Sequence, residues 1–180
     1  MKKVIFLFIG IIFLGMNLEA QKKNVIKTNL FSPIIRTGHL LYERALNDNM
    51  SLQLGFFYSG FNDRDSEAKL NGWGVTPEFR FYLSETKTAP SGIYLAPTIR
   101  YMNLKIEDES IDAKGELTSF GFSINFGTQM ILKDIIAIDA FIGPSYNFRN
   151  YEETQGDLET SIPDVNGFGI RFGLCLGLAF

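Results

Sequence analysis

Apolar and polar residues alternate along most of this chain, and the alternation is sharpest at its C-terminus. Within residues 166–180, Phe168, Ile170, Phe172, Leu174, Leu176, Leu178 and Phe180 are large and apolar, while the positions between them are small apart from Arg171. Successive side chains of a strand point to opposite faces, so this stretch predicts a strand with one wholly apolar face and one nearly bare face. A soluble sheet would hide the apolar face and keep the other polar. A small-residue face instead suits the narrow inside of a closed barrel. The apolar face is also long enough to cross a bilayer, for which a tilted strand needs roughly 9–11 residues.

The same pattern predicts seven earlier strands, at 24–31, 38–46, 51–59, 72–83, 92–103, 117–130 and 135–149. In the fourth, Trp73, Val75, Pro77, Phe79, Phe81 and Leu83 face out and Thr76, Glu78, Arg80 and Tyr82 face in. In the sixth, Phe120, Phe122, Ile124, Phe126 and Met130 face out, against Ser119, Gly121, Ser123, Asn125, Gly127 and Gln129. Short turns are expected at 47–49, 84–91 and 131–134, and the other connections, 32–37, 60–71, 104–116 and 150–165, are expected as loops on the opposite side. An even strand number with turns on one side and longer loops on the other is the pattern of a transmembrane barrel. The fold class is therefore all-β, an eight-stranded antiparallel up-and-down transmembrane β-barrel. Aromatic residues fall at both strand ends, with Tyr58, Trp73, Tyr101, Phe120, Tyr146, Phe148 and Phe168 at the outer rim and Tyr42, Phe81 and Phe180 at the inner one. Such girdles are expected at the two water boundaries of a bilayer. Pro77, Pro97 and Pro144 fall inside strands, where proline removes a ladder hydrogen bond, so a bulge or kink is expected near Pro77 and Pro97.

The N-terminus changes the picture of where such a barrel works. Lys2 and Lys3 precede an apolar run from Val4 to Leu14, and Leu18-Glu19-Ala20 offers a cleavage site. Residues 1–20 read as a secretory signal peptide, leaving 21–180 as a single barrel domain. The run falls short of the ~18–20 residues of a spanning helix. Cys175 is the sole cysteine, so no intramolecular disulfide forms, and the formal charge of −3 becomes −4 once Lys2, Lys3 and Glu19 leave with the signal. That balance excludes nucleic acid as a partner.

Candidate chemistry lies in two places. By alternation Lys27, Glu43, Glu78, Arg80, Arg100, Asp139 and Arg171 all face the lumen. Eight strands enclose a lumen just wide enough for side chains to fill. Buried charges persist only when paired, so these predict an ion-pair network, with Glu78 joined to Arg80 or Arg100 and Lys27 to Glu43. The competing reading of the same residues is a narrow ion path. The second place is the pair of acidic stretches with Glu107, Asp108, Glu109, Glu152 and Glu153, expected as solvated external loops that contact an extracellular ligand or, through weakly held cations, lipopolysaccharide. No metal-ligand spacing is present and no cofactor is implied. His39, with Ser32 and Glu43 nearby in sequence, is the one candidate for hydrolytic chemistry on lipid A; no motif joins the three, and no catalytic residue is assigned.

The C-terminal strand, ending Leu176, Leu178, Phe180, resembles the signal by which Gram-negative outer-membrane barrels are recognised and inserted by their assembly machinery. The chain from residue 21 onward resembles the small eight-stranded group typified by the OmpA membrane domain and OmpX. Its start, with Lys27-Thr28-Asn29-Leu30, Gly38 and Leu41-Tyr42-Glu43-Arg44-Ala45-Leu46, is also similar to a family of uncharacterised outer-membrane barrels. The resemblance implies a location in the cell outer membrane, with lipid and lipopolysaccharide as neighbours. It implies no single activity, because adhesins, structural anchors, small channels and lipid-modifying enzymes share the fold. The expected role is structural or adhesive, through the external loops; a narrow channel and a lipid A-modifying enzyme are the alternatives.

Overall fold

The structure, a computed structural model of the chain, describes residues 22–32, 37–62, 68–108, 113–155 and 167–180. The signal-peptide reading of residues 1–20 therefore lies outside the described residues. Eight strands follow one another: β1 (Asn24–Asn29), β2 (Thr37–Asn47), β3 (Met50–Asn62), β4 (Ala68–Tyr82), β5 (Gly92–Asp108), β6 (Ala113–Leu132), β7 (Ile136–Gln155) and β8 (Gly167–Ala179). Each pairs antiparallel with the next, and β1 pairs with β8, so the sheet closes into an up-and-down barrel. Closure sets Val25 opposite Ala179 and Asn29 opposite Cys175. A closed sheet has no edge, so every strand finds a ladder on both sides.

The two faces divide as the alternation predicts. Ile124 is 55% exposed, Leu54 53% and Ile142 56%, although all three are apolar and sit in mid-strand. Their inward neighbours Gln53, Asn125 and Gly143 are buried. The core of this molecule is thus its lumen, filled by polar groups, and its outside is an apolar belt. The register links the aromatic residues of the far rim, opposite the chain termini, into a ring. Tyr58 lies opposite Trp73, Tyr101 opposite Phe120, Phe120 opposite Phe148, and Tyr146 opposite Phe168. From Trp73 to Leu83 the belt runs about 34 Å along β4, or about 26 Å of height at a strand tilt near 40°.

Two expectations are corrected. The stretches expected as loops at 60–71 and 104–116 are largely strand, and 150–155 is strand too, because β3 runs to Asn62, β4 starts at Ala68, β5 runs to Asp108, β6 starts at Ala113 and β7 runs to Gln155; residues 156–165 lie outside the described residues. Glu107 and Asp108 thus stand on β5, and Glu152 and Glu153 on β7, while Glu109 lies outside the described residues. In the β5–β6 hairpin, cross-strand charge accompanies the extension. The register puts Lys105 opposite Glu116 and Glu107 opposite Lys114, and oppositely charged facing positions support a ladder where apolar alternation has ended. Asn103 Nδ2 also donates to Glu116 Oε1 across the same hairpin.

The second correction concerns the prolines. No register shift occurs between β4 and β5, where Val75 faces Tyr101, Glu78 faces Thr98 and Phe81 faces Leu95, so the bulge is absent; the ladder does lapse at Thr76, Pro77, Phe79 and Arg80, the loss expected of proline. Pro97 stays opposite Ile124, and Pro144 opposite Ile170. A bulge needs an inserted residue, whereas a proline removes a donor without adding length. The register shifts that do occur lie near Ala45/Asn47 and Lys114/Gly115.

Candidate functional site: a charged layer across the lumen

Inward positions on seven strands meet in one layer of the barrel's terminal half. Lys27 comes from β1, Glu43 from β2, Gln53 from β3, Glu78 and Arg80 from β4, Tyr94 from β5, Gln129 from β6 and Asp139 from β7. Glu43, Arg80, Tyr94, Gln129 and Asp139 have no exposed surface, and Lys27 and Glu78 have almost none. Glycines on the facing strands make the room. The register puts Lys27 opposite Gly177, where a Cβ would stand 2.6 Å from Lys27 Cγ, and Tyr94 opposite Gly127, where a Cβ would stand 2.5 Å from the ring.

The layer is a single hydrogen-bonded network. Lys27 Nζ lies 2.7 Å from Glu43 Oε2 and 2.8 Å from Asp139 Oδ2, and also donates to Gln129 Oε1. Arg80 donates through Nε to Glu78 Oε1 at 2.6 Å, and through Nη1 to Asp139 Oδ2 at 2.9 Å and Glu43 Oε2 at 3.2 Å. Glu43 is the hub, since Ser51 Oγ and Tyr82 OH donate to its other oxygen at 2.5 and 2.6 Å. Tyr94 OH donates to Asp139 Oδ1 at 2.7 Å, and its ring lies 4.2 Å from the Arg80 guanidinium carbon. Glu78 accepts further bonds from Thr98 Oγ1 at 3.0 Å and Asn125 Nδ2 at 3.2 Å. Gln129 Nε2 reaches the Pro90 carbonyl at 2.6 Å and so ties the layer to the turn that closes β4 onto β5. Two cations thus face three carboxylates, and the uncharged donors spread the remaining negative charge.

The structure thus brings together five of the seven lumen charges singled out in the sequence, namely Lys27, Glu43, Glu78, Arg80 and Asp139. Arg100 and Arg171 stand apart, nearer the far end, and neither forms an ion pair among the described residues. Charge alone did not disclose the neutral members Gln53, Tyr82, Tyr94, Asn125 and Gln129. Their signal was polarity at inward positions of otherwise apolar strands. His39 also faces inward near the far end, where it borders the same cavity as Ser32. No hydrogen bond joins the two side chains among the described residues, and Glu43 is taken up by Lys27, Ser51 and Tyr82. Cys175 is fully buried opposite Asp139.

A closed eight-stranded wall with an apolar outside, an aromatic ring and a charged, filled lumen defines a barrel of the outer-membrane type. Among solved structures, the chain is similar to the N-terminal β-barrel domain of Pseudomonas aeruginosa OprF, at 15% identity over 89% of this chain and 98% of that one, with a TM-score of 0.53. At that identity the likeness shows the fold alone. The chain belongs to the family described as "Protein of unknown function (DUF3575)", whose profile matches residues 4–161. No curated protein matches it.

Proposed function

We propose that this is an integral barrel of a bacterial outer membrane, closed to ions, with a structural or adhesive role exerted at its far end. The observation that carries this reading is the charged layer. It spans the lumen with side chains that have essentially no solvent exposure, so no water-filled path runs beside them. The apolar belt supports the membrane environment, because an exposed apolar surface of this extent would aggregate in water, and its height matches the ~25 Å apolar band of such barrels. The termini and the tight turns then face the periplasm, while β5, β6 and β7 extend beyond the bilayer on the other side. At 20 residues, β6 and β7 rise about 50 Å when tilted. The far ends of β5 and β7 carry the acidic positions Glu107 and Asp108, and Glu152 and Glu153, to the cell surface, where lipopolysaccharide and an extracellular ligand are the candidate partners. The C-terminal Leu176, Leu178 and Phe180 serve as the contact for the assembly machinery.

Two measurements test this. Reconstituted in planar bilayers, the protein should show no step conductance; well-resolved steps would refute the closed lumen. A cysteine placed at Lys114, in the β5–β6 hairpin, should react with an impermeant maleimide on intact cells, whereas one at Asp134 should react only after lysis. The reverse labelling would overturn the orientation.

A further inference from the structure

The half of the lumen between the charged layer and the far end is built differently. Its inward positions mix arginines with small polar residues, glycines and a few large apolar side chains. The register puts Arg100 opposite Gly121 and Arg171 opposite Gly143. A cavity of about 490 Å³ opens in this half, with both arginines in its wall. A second cavity of about 310 Å³ adjoins it and shares both arginines. The two differ in character. Phe57, Phe141, Met102 and Leu104 line the larger one, while Ser123, Ser145 and Asn147 contribute to the smaller.

The arginines are fixed but not neutralised. Arg100 lies with its guanidinium carbon 5.4 Å from the Phe57 ring centre, and Arg171 lies 5.4 Å from that of Phe141. Stacking of this kind occupies the flat face of a guanidinium and leaves its in-plane N–H groups for an acceptor. Arg171 Nη1 is buried and has no hydrogen-bond partner. A buried donor left unmet is costly, and more so when charged. Among the described residues no carboxylate lies within ion-pair distance of either arginine, and Glu78 in the layer beneath acts on Arg171 only at longer range. Two like charges on one cavity wall repel each other, and an anion between them would relieve both defects at once.

We propose that this half of the lumen is a binding cup for a small amphipathic acid, a carboxylate or phosphate group joined to an apolar body of aromatic or short aliphatic character. The acid group lies between Arg100 and Arg171, taking the unmet Arg171 Nη1–H, and the apolar body lies against Phe57, Phe141 and Met102. The larger volume falls within the 300–1,000 Å³ of ordinary small-molecule sites. The charged layer closes the bore on the terminal side, so the ligand would enter from the far end and stop at that layer.

The test uses 1-naphthoate as probe, titrated calorimetrically into the barrel held in phosphatidylcholine nanodiscs, with 1-naphthalenemethanol and inorganic phosphate as partial probes. Saturable binding of naphthoate is expected, at least tenfold tighter than either partial probe, which respectively lack the charge and the apolar body. Arg100→Gln and Arg171→Gln should each weaken naphthoate at least tenfold, and Lys133→Gln, in a turn at the terminal end, should leave it unchanged. The comparison between probes needs only the wild-type protein, so a variant that fails to fold does not remove the test. Repeating the titration in nanodiscs containing lipopolysaccharide identifies the source of the acid. Unchanged affinity points to a soluble acid, and competition points to a lipid headgroup in the same cup. Equal binding of naphthoate and its alcohol, no binding, or full affinity in folded Arg100→Gln and Arg171→Gln would each overturn the proposal. None of these outcomes depends on whether the layer below conducts.

Discussion

Replacing Lys27 by methionine isolates the electrostatics of the charged layer from its packing. The methionine keeps an unbranched stem over Gly177 and removes only the ammonium group, which lies 2.7 Å from Glu43 and 2.8 Å from Asp139. Three buried carboxylates are then left with Arg80 as their sole cation. Removing one partner of a buried ion pair typically costs about 3–5 kcal/mol. With an m-value of about 3 kcal/mol/M, the urea midpoint should fall by about 1–2 M. The assay is urea unfolding of the vesicle-bound barrel, followed by the mobility difference between unheated and boiled samples on a detergent gel. Adding Glu43→Gln restores the original excess of one negative charge while keeping an acceptor at the hub. The double variant should therefore be more stable than the sum of the single effects by about 1–3 kcal/mol, the range for residues in one network. A midpoint within about 0.5 M of wild type for Lys27→Met, or strictly additive single effects, would refute a coupled layer.

Two further outcomes follow from the same geometry. Gly177→Val should prevent formation of the heat-modifiable species, because a Cβ there would stand 2.0 Å from the Ile26 carbonyl oxygen and 2.8 Å from Lys27 Cα, and backbone cannot step aside as a side chain can; a normal band shift would count against the β1–β8 seam. Cys175 is fully buried in the lumen, so a maleimide should modify it only after boiling, and rapid labelling of the folded protein would mean that solvent penetrates the layer.

How much of this was legible in the sequence depended on which physical force wrote each part. The outward faces were plain in β6 and β8, because nearly every outward position from Phe120 to Met130 and from Phe168 to Phe180 is large and apolar, Thr128 being the exception. The lumen charges were plain for the converse reason, since Glu78 and Arg80 have no place on the other face. Alternation assigns a face but not a height, so it could not separate Arg100 and Arg171 from the layer below. Nor could it name Gln129 or Tyr94, whose uncharged groups matter only for what stands across the bore. The strand ends were misjudged because acidic and basic residues are dense at 105–116 and the apolar alternation weakens there. What continues the ladder is the pairing of Lys105 with Glu116 across a hairpin, which a single strand does not display. The prolines misled by analogy with bulges, although losing a donor and gaining a residue are different events.

The partners of Asp139 carry one last consequence. They stand on β1, β4 and β5, and none stands on a strand adjacent to β7. A flat or half-curled sheet therefore cannot reach them, and in such a sheet Asp139 has no cation within range. In the membrane barrel proposed above, a sheet that entered the hydrocarbon before its first and last strands met would carry that carboxylate without a cation, so closure and entry are expected to occur together.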